Sequence, residues 1–179
     1  MKRKKKLNNK NKEFQPVNIS IMTISDSRDK KNDISGNILK EKIKNSGHKL
    51  FNYKIIKDDK QLIRNIVLEW SKNEETNVII TSGGTGLTGR DVTPEAVEEI
   101  LEKKIEGFST IFHMISFLKI KTSTIQSRAL AGILNETLIF CLPGSPNAVT
   151  DAWDEILAYQ LDIRHKPCNF IEIMDRFKE

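Results

Sequence analysis

Four clusters of small, hydroxyl-bearing and acidic residues punctuate this chain, and each follows a run of apolar residues. The densest is Ser82-Gly83-Gly84-Thr85-Gly86-Leu87-Thr88-Gly89-Arg90-Asp91. Its glycines allow positive φ and let backbone N–H groups close on an anion with no Cβ in the way. Thr93-Pro94 then reads as an N-cap followed by an N1 proline, so a helix opens beside the loop and its free amides add to the anion site. Pro143-Gly144-Ser145-Pro146 repeats the device, and Ser25-Asp26-Ser27-Arg28 and Asp58-Asp59 complete the set. A carboxylate beside bound phosphate repels it unless a cation lies between, and Mg²⁺ is the usual ion. Asp91 is read as such a carboxylate, because Thr93 is available as the helix cap. Asp59 is read as a cap, whereas for Asp58 both roles stay open. Ser127-Arg128 also stays open, between a bidentate grip on phosphate and pairing with a surface acid.

Two familiar patterns nearly match. Gly84–Asp91 has the glycine spacing of a P-loop, but Arg90 and Asp91 stand where Lys and Ser/Thr would reach phosphate and magnesium. Gly84, Gly86 and Gly89 spell G-x-G-x-x-G, but after the third strand and ahead of the helix rather than within its start, unlike a dinucleotide fold. No nucleophilic triad stands out: His48, His113 and His165 are scattered and read as structural or surface histidines, and Cys141 as a small buried hydrophobe. Anion-binding loops with carboxylates and no nucleophile suit phosphoryl or nucleotidyl transfer, where the protein positions groups and stabilises charge.

The elements that must position these clusters alternate. Val17–Ile24, His48–Ile56, Asn77–Thr81 and Thr137–Leu142 read as strands, and Asn169–Met174 as a further edge strand. Ser35–Asn45 (capped by Ser35), Asp59–Ser71, Thr93–Lys103, Phe108–Leu118 and Pro146–Leu161 carry apolar residues at helical spacing, and Thr124–Gly132 reads as a short helix. Alternation of this kind implies right-handed crossovers and a mainly parallel sheet with helices on both faces, a three-layer α/β/α architecture. Ligands of such sheets bind at the carboxyl ends of the strands, which is where all four clusters fall.

The chain has 179 residues, 38% of them apolar and 30% charged, which fits one globular domain. Residues 1–13 carry a net charge of +6 and the rest −1, so the basic balance belongs to a Lys- and Asn-rich tail read as disordered, ahead of a single domain over 14–179. A near-neutral domain makes nucleic acid a poor partner. The polar stretch Asn8–Gln15 stands where a signal peptide would be apolar, and no run reaches the roughly 18 residues of a membrane span. Two cysteines make neither a disulfide framework nor a zinc site, so a reducing, cytoplasmic setting is the simplest reading.

Taken together, Thr81–Gly86, Arg90-Asp91-Val92-Thr93-Pro94-Glu95-Ala96, Ser127-Arg128-Ala129-x-Ala131-Gly132 and Leu142–Pro146 resemble the MoaB/MogA family of molybdenum-cofactor biosynthesis. Ser25–Arg28 and Ile56-x-Asp58-Asp59 fit as well, and the Thr122–Arg128 stretch and the Arg164–Phe170 ending look most like the MoaB branch. The resemblance covers about residues 15–179. It implies a three-layer α/β domain that assembles as a homotrimer or hexamer, binds molybdopterin, and adenylylates its terminal phosphate with Mg-ATP, giving adenylyl-molybdopterin and pyrophosphate. On that pattern Asp58 and Asp91 would be the catalytic, Mg²⁺-holding carboxylates. Ser25, Gly83, Gly84, Thr85 and Gly86 would hold nucleotide phosphate, while Ser127, Arg128, Pro143, Gly144 and Ser145 would lie on the pterin side. The resemblance also implies contact with a molybdate-insertion protein. A non-catalytic molybdopterin-binding or scaffold role in the same pathway is the alternative.

Overall fold

The computed structural model describes residues 12–179. Their six strands are β1 (Asn18–Ile24), β2 (Lys49–Ile56), β3 (Val78–Ser82), β4 (Lys103–Lys104), β5 (Leu130–Leu134) and β6 (Thr137–Leu142). They form one sheet in the order β2-β1-β3-β6-β5-β4. β2, β1, β3 and β6 run parallel, and the β5 and β4 edge continues antiparallel from β6. The helices are α1 (Ile34–Asn45), α2 (Lys60–Ser71), α3 (Thr93–Glu98), α4 (Glu106–Ile120) and α5 (Pro146–Ala152), the last continuing through π-helical Trp153–Leu157 to Ala158–Gln160.

Period-two alternation along the strands divides the core between two faces. Ile19, Ile21, Val78, Ile80, Leu138 and Phe140 pack against α1, α4 and α5 through Leu39, Ile43, Phe112 and Trp153. Met22, Ile24, Ile79, Ile139 and Cys141 pack against α2 and α3 through Ile63, Val67, Trp70 and Val97. Each large apolar side chain taken fully out of water contributes about 1.5–3 kcal/mol. That burial is greatest at β3 and β6, where every residue is buried. The three-layer α/β/α architecture is therefore as expected. Among the described residues, no helix is long and apolar enough to cross a membrane.

Several local expectations are corrected. Thr124–Gly132 is not a helix: a 3-10 turn (Lys121–Gln126) leads into β5. The β5–β6 hairpin turns on Asn135 and Glu136, both at positive φ, with no glycine to mark it. Helix α3 stops at Glu98 because the following backbone joins the sheet edge, with the Glu102 N–H donating to the Ile133 carbonyl. Asn169–Met174 is no strand. The Asn169 Oδ1 accepts from the Glu172 N–H at 2.9 Å and starts a 3-10 turn (Ile171–Arg176). Most of the 1–13 segment lies outside the described residues, and at its end Lys12 pairs with Glu172 at 2.6 Å.

The cap of α1 is Asp33, not Ser35, and it does more than cap. Its Oδ1 accepts from the Gly36 N–H at 3.0 Å, and its Oδ2 accepts from the Thr23 and Tyr53 hydroxyls at 2.6 Å each. Burial pushes this carboxyl up, but the Thr23, Tyr53 and Gly36 donors and the nearby Arg28 charge outweigh it and hold it below its ordinary value. A depressed carboxyl contributes stability that is present above its unfolded value and is lost as pH falls through the folded one. Asp33→Ala strands the buried Thr23 hydroxyl and the half-buried Tyr53 hydroxyl as well as a helix N–H. It should lower unfolding free energy by about 3 kcal/mol in urea titrations at neutral pH.

Candidate functional site

The four loops converge at the carboxyl ends of the parallel strands. The Ser25 N–H donates to the Ile56 carbonyl at 2.9 Å, tying the ends of β1 and β2, and the Gly83 N–H donates to the Leu142 carbonyl at 3.0 Å, tying those of β3 and β6. Gly83 (φ +109°) lies over the Ile24 carbonyl oxygen, where a Cβ would collide with it. Gly144 lies against Gly83 so closely that a Cβ on it would be 3.0 Å from the Gly83 Cα. The Arg28 guanidinium and the Ser35 hydroxyl both donate to the Gly144 carbonyl at 2.8 Å. Arg28 is in turn 3.6 Å from Asp33, so the buried cap of α1 orients the arginine that holds the Pro143–Ser145 loop.

The glycine loop meets both candidate carboxylates. Gly84 (φ +62°) presents its α-carbon so that a Cβ would lie 2.8 Å from each Asp58 carboxylate oxygen. A Cβ on Gly86 would lie 2.7 Å from the Asp91 Oδ2. Asp91 accepts from the Thr88 N–H at 3.0 Å and the Thr88 hydroxyl at 2.5 Å, and these bonds hold its carboxyl below the ordinary range. Asp58 goes the other way. Burial, then the negative charges of Asp91 and Glu95, raise it against a long hydrogen bond (3.4 Å) from the Val92 N–H. Asp59 caps α2 as expected, accepting from the Leu62 N–H at 2.7 Å. Thr93 does not cap α3. Its N–H donates to the Gly84 carbonyl at 3.0 Å, Val92 stands at the cap position, and the Thr93 hydroxyl is buried without a partner.

Arg128 grips protein rather than standing free. It donates to the Thr85 and Asp91 carbonyls at 3.4 and 2.8 Å and pairs with Glu95, so it clamps both ends of the glycine loop. It lines a cleft of about 310 Å³ with Lys60, Thr88 and Asp91. Ser127, one residue earlier, lines a different cavity of about 480 Å³ with Pro143, Ser145 and Phe112. Ser127 is extended (φ −113°, ψ 147°), and extended backbone sends successive side chains to opposite sides. Its carbonyl lies 2.9 Å from the His113 Nε2, which ties it to α4. Ser145 caps α5, accepting from the Ala148 N–H at 3.2 Å.

Three of the six buried side-chain oxygens without a partner among the described residues lie at this rim. Ser82 Oγ precedes Gly83, Thr93 Oγ1 lies beside Gly84, and Glu95 Oε2 lies beside Arg128. Unsatisfied buried polar atoms are rare in folded proteins and point to a site that a ligand completes. Among the described residues, no group of three or more His, Cys, Asp and Glu could hold a metal by itself. Asp58 and Asp91 supply two carboxylates, the usual protein share for Mg²⁺ bound together with substrate phosphates. The sequence reading missed the positioning roles of Asp33, Arg28 and His113. Asp33, three residues ahead of Gly36, carried a capping signal that Ser35 masked.

A family model described as a probable molybdopterin binding domain matches residues 20–163. The chain is 44% identical over 158 residues to molybdenum cofactor biosynthesis protein B of Escherichia coli (strain K12), covering 88% of this chain and 93% of that protein. A crystal structure of a molybdenum cofactor biosynthesis protein B superposes with a TM-score of 0.80 at 43% identity, over 82% of this chain and 92% of the other. The tungsten cofactor synthesizing protein MoaB from Pyrococcus furiosus superposes with a TM-score of 0.75 at 28% identity, over 92% and 99% of the two chains. Fold, rim loops and these matches agree that the chain belongs to the MoaB/MogA family of molybdenum cofactor biosynthesis proteins and is most like its MoaB branch.

Proposed function

We propose that this protein serves molybdenum cofactor biosynthesis by binding molybdopterin and transferring an adenylyl group from Mg-ATP to its terminal phosphate. The observation that carries the reading is the placement of Asp58 and Asp91 against Gly84 and Gly86. Three cations of the surrounding loops and helices are engaged with other acids, Lys60 with Glu99, Arg90 with Asp26 and Arg128 with Glu95. Asp58, raised by burial and by its acidic neighbours, beside an ionised Asp91 on a phosphate-type loop suits a divalent cation that arrives with the nucleotide. Asp58 and Asp91 would hold Mg²⁺, which when bound supplies positive charge to the nucleotide phosphates. The Gly83–Gly86 amides orient the phosphates, and Ser145 and Ser127 face the second substrate. An oxygen of the molybdopterin phosphate bonds to the α-phosphorus while the bond from that phosphorus to the bridging oxygen breaks, releasing pyrophosphate. The attacking phosphate is already ionised, so the step needs no general base.

Incubation with molybdopterin and Mg-ATP should yield adenylyl-molybdopterin and pyrophosphate in equal amounts. Asp91→Asn should cut the rate by about 10²-fold or more, as loss of a charge-organising group does. Pterin binding with no adenylylated product would replace this reading with that of a non-catalytic molybdopterin-binding or scaffold protein.

Asp58 gives a second test, through stability. A carboxyl raised in the folded state binds its proton more tightly there than in the unfolded chain, so ionising it destabilises the fold as pH rises through the raised value. Asp58→Asn should therefore raise the melting temperature at neutral pH without Mg²⁺, while adenylylation is lost. The wild-type kcat/KM for Mg-ATP should fall on acidification at a pH above the ordinary aspartate range, because Asp58 of the free protein must be ionised to take up the cation.

Self-association belongs to the same proposal. Helix α4 turns Ile111, Met114, Phe117 and Leu118 to solvent, each 46–73% exposed, and Ile125 extends the patch. An apolar face of this kind on a soluble domain marks an interface, and we assign it to further copies of this chain in a trimer or hexamer. Light scattering should give three or six times the 20.5 kDa chain mass. Leu118→Glu should shift it toward a single chain, and a monomeric wild type would overturn the assignment.

A further inference from the structure

The cavity beside Ser127 and Ser145 extends beyond the groups that phosphate chemistry uses, and its walls divide by character. Phe112, Ile120, Pro143 and Ala148 give it apolar surface, and Phe112 is itself only 2% exposed. At another wall stands Asp151 of α5, whose side chain is only 12% exposed. Its Oδ1 accepts from the Lys119 Nζ at 2.5 Å, and Lys119, on α4, is half in solvent. An ionised carboxylate has about four acceptor positions, so one ammonium leaves others unused on a side chain that lines the cavity. The Asp151 end is unsuited to phosphate, which would meet a carboxylate there with Lys119 already engaged.

An apolar slot that meets a largely buried carboxylate fits a flat ring whose edge bears adjacent N–H donors. A 2-amino-4-oxopteridine has such an edge in its N3–H and 2-amino group. We propose that Asp151 is a specificity-determining residue that accepts the 2-amino/N3–H edge of the pterin ring, with the ring body against the apolar wall that includes Phe112 and Pro143. This inference rests on the molybdopterin reading above and deepens it by assigning which residue recognises the pterin.

Fluorescence titration of the full chain with 6-hydroxymethylpterin and with 6-hydroxymethyllumazine tests it. In the lumazine a 2-oxo group replaces the 2-amino donor and would face the carboxylate with an acceptor. The wild type should prefer the pterin by at least about 10-fold, a comparison that needs no variant. Asp151→Asn, shown to be folded by its thermal melt, should bind the pterin about 10- to 100-fold more weakly and lose the preference. Lys119→Met removes the ion pair but not the acceptor and should keep the preference. Equal binding of the two rings by the wild type, or a preference that survives Asp151→Asn, overturns the role of Asp151 and leaves molybdopterin binding standing. A wild type that binds neither ring overturns both.

Discussion

The rim of this protein depends on a backbone contact between two glycines. Gly83 follows β3 and Gly144 follows β6; a Cβ on Gly144 would lie 3.0 Å from the Gly83 Cα, and a Cβ on Gly83 would collide with the Ile24 carbonyl oxygen. Because β3 and β6 are adjacent parallel strands, their carboxyl ends point the same way, and the contact brings the glycine loop and the Ser145 loop together. Arg28 and Ser35 hold the Gly144 carbonyl from the β1 side, and Asp33 beneath them orients Arg28. A buried aspartate in the first helix cap is thus coupled through one arginine to the floor of a site that also draws on Asp58, the Gly83–Gly86 loop and Ser145 from other parts of the chain.

The legibility of the fold followed burial. Strands β3 and β6 are buried throughout, so their unbroken apolar runs stood out within a residue or two of their observed limits. The antiparallel edge did not stand out. β4 is two residues long and both are lysines, and β5 is short and ends in a turn made by Asn135 and Glu136 without glycine. Neither carries enough local preference to announce itself, and both exist because β6 offers them a partner. The over-long reading of α3 has the same origin. Ile100 and Leu101 continue a helical apolar pattern, but they pack toward the second core face while the chain turns to the sheet edge.

At the site, residue types were legible and orientations were not. The loop glycines and the Asp58 and Asp91 pair could be read because their chemistry is tied to sequence spacing. The division of Ser127 from Arg128 could not, because it depends on one residue's extended backbone. Arg128 illustrates the cost of reading a side chain without its neighbours. As a free guanidinium it suits phosphate, whereas in the structure it joins Thr85, Asp91 and Glu95 and makes the glycine loop rigid. Asp33 was hidden for a related reason, since what matters about it is the convergence of Thr23, Tyr53 and Arg28 from three other segments.

Asp33 and Asp58 show how one fold treats two partly or fully buried carboxylates in opposite ways. Asp33 is surrounded by donors, and its ionised form holds the structure together. Asp58 receives one long hydrogen bond and faces Asp91 and Glu95, so its ionised form works against the fold. A protein under selection for stability alone would have no use for that second arrangement. Under the proposed function it fits a Mg²⁺ ion that comes and goes, because a site already neutralised by its own lysines and arginines would have nothing left to offer a cation. Lys60, Arg90 and Arg128 are paired with other acids, and the glycines remove the side chains that would otherwise fill the space above the two aspartates. On the proposed reading, the local instability and the capacity to bind Mg²⁺ are the same feature, seen without and with the ion.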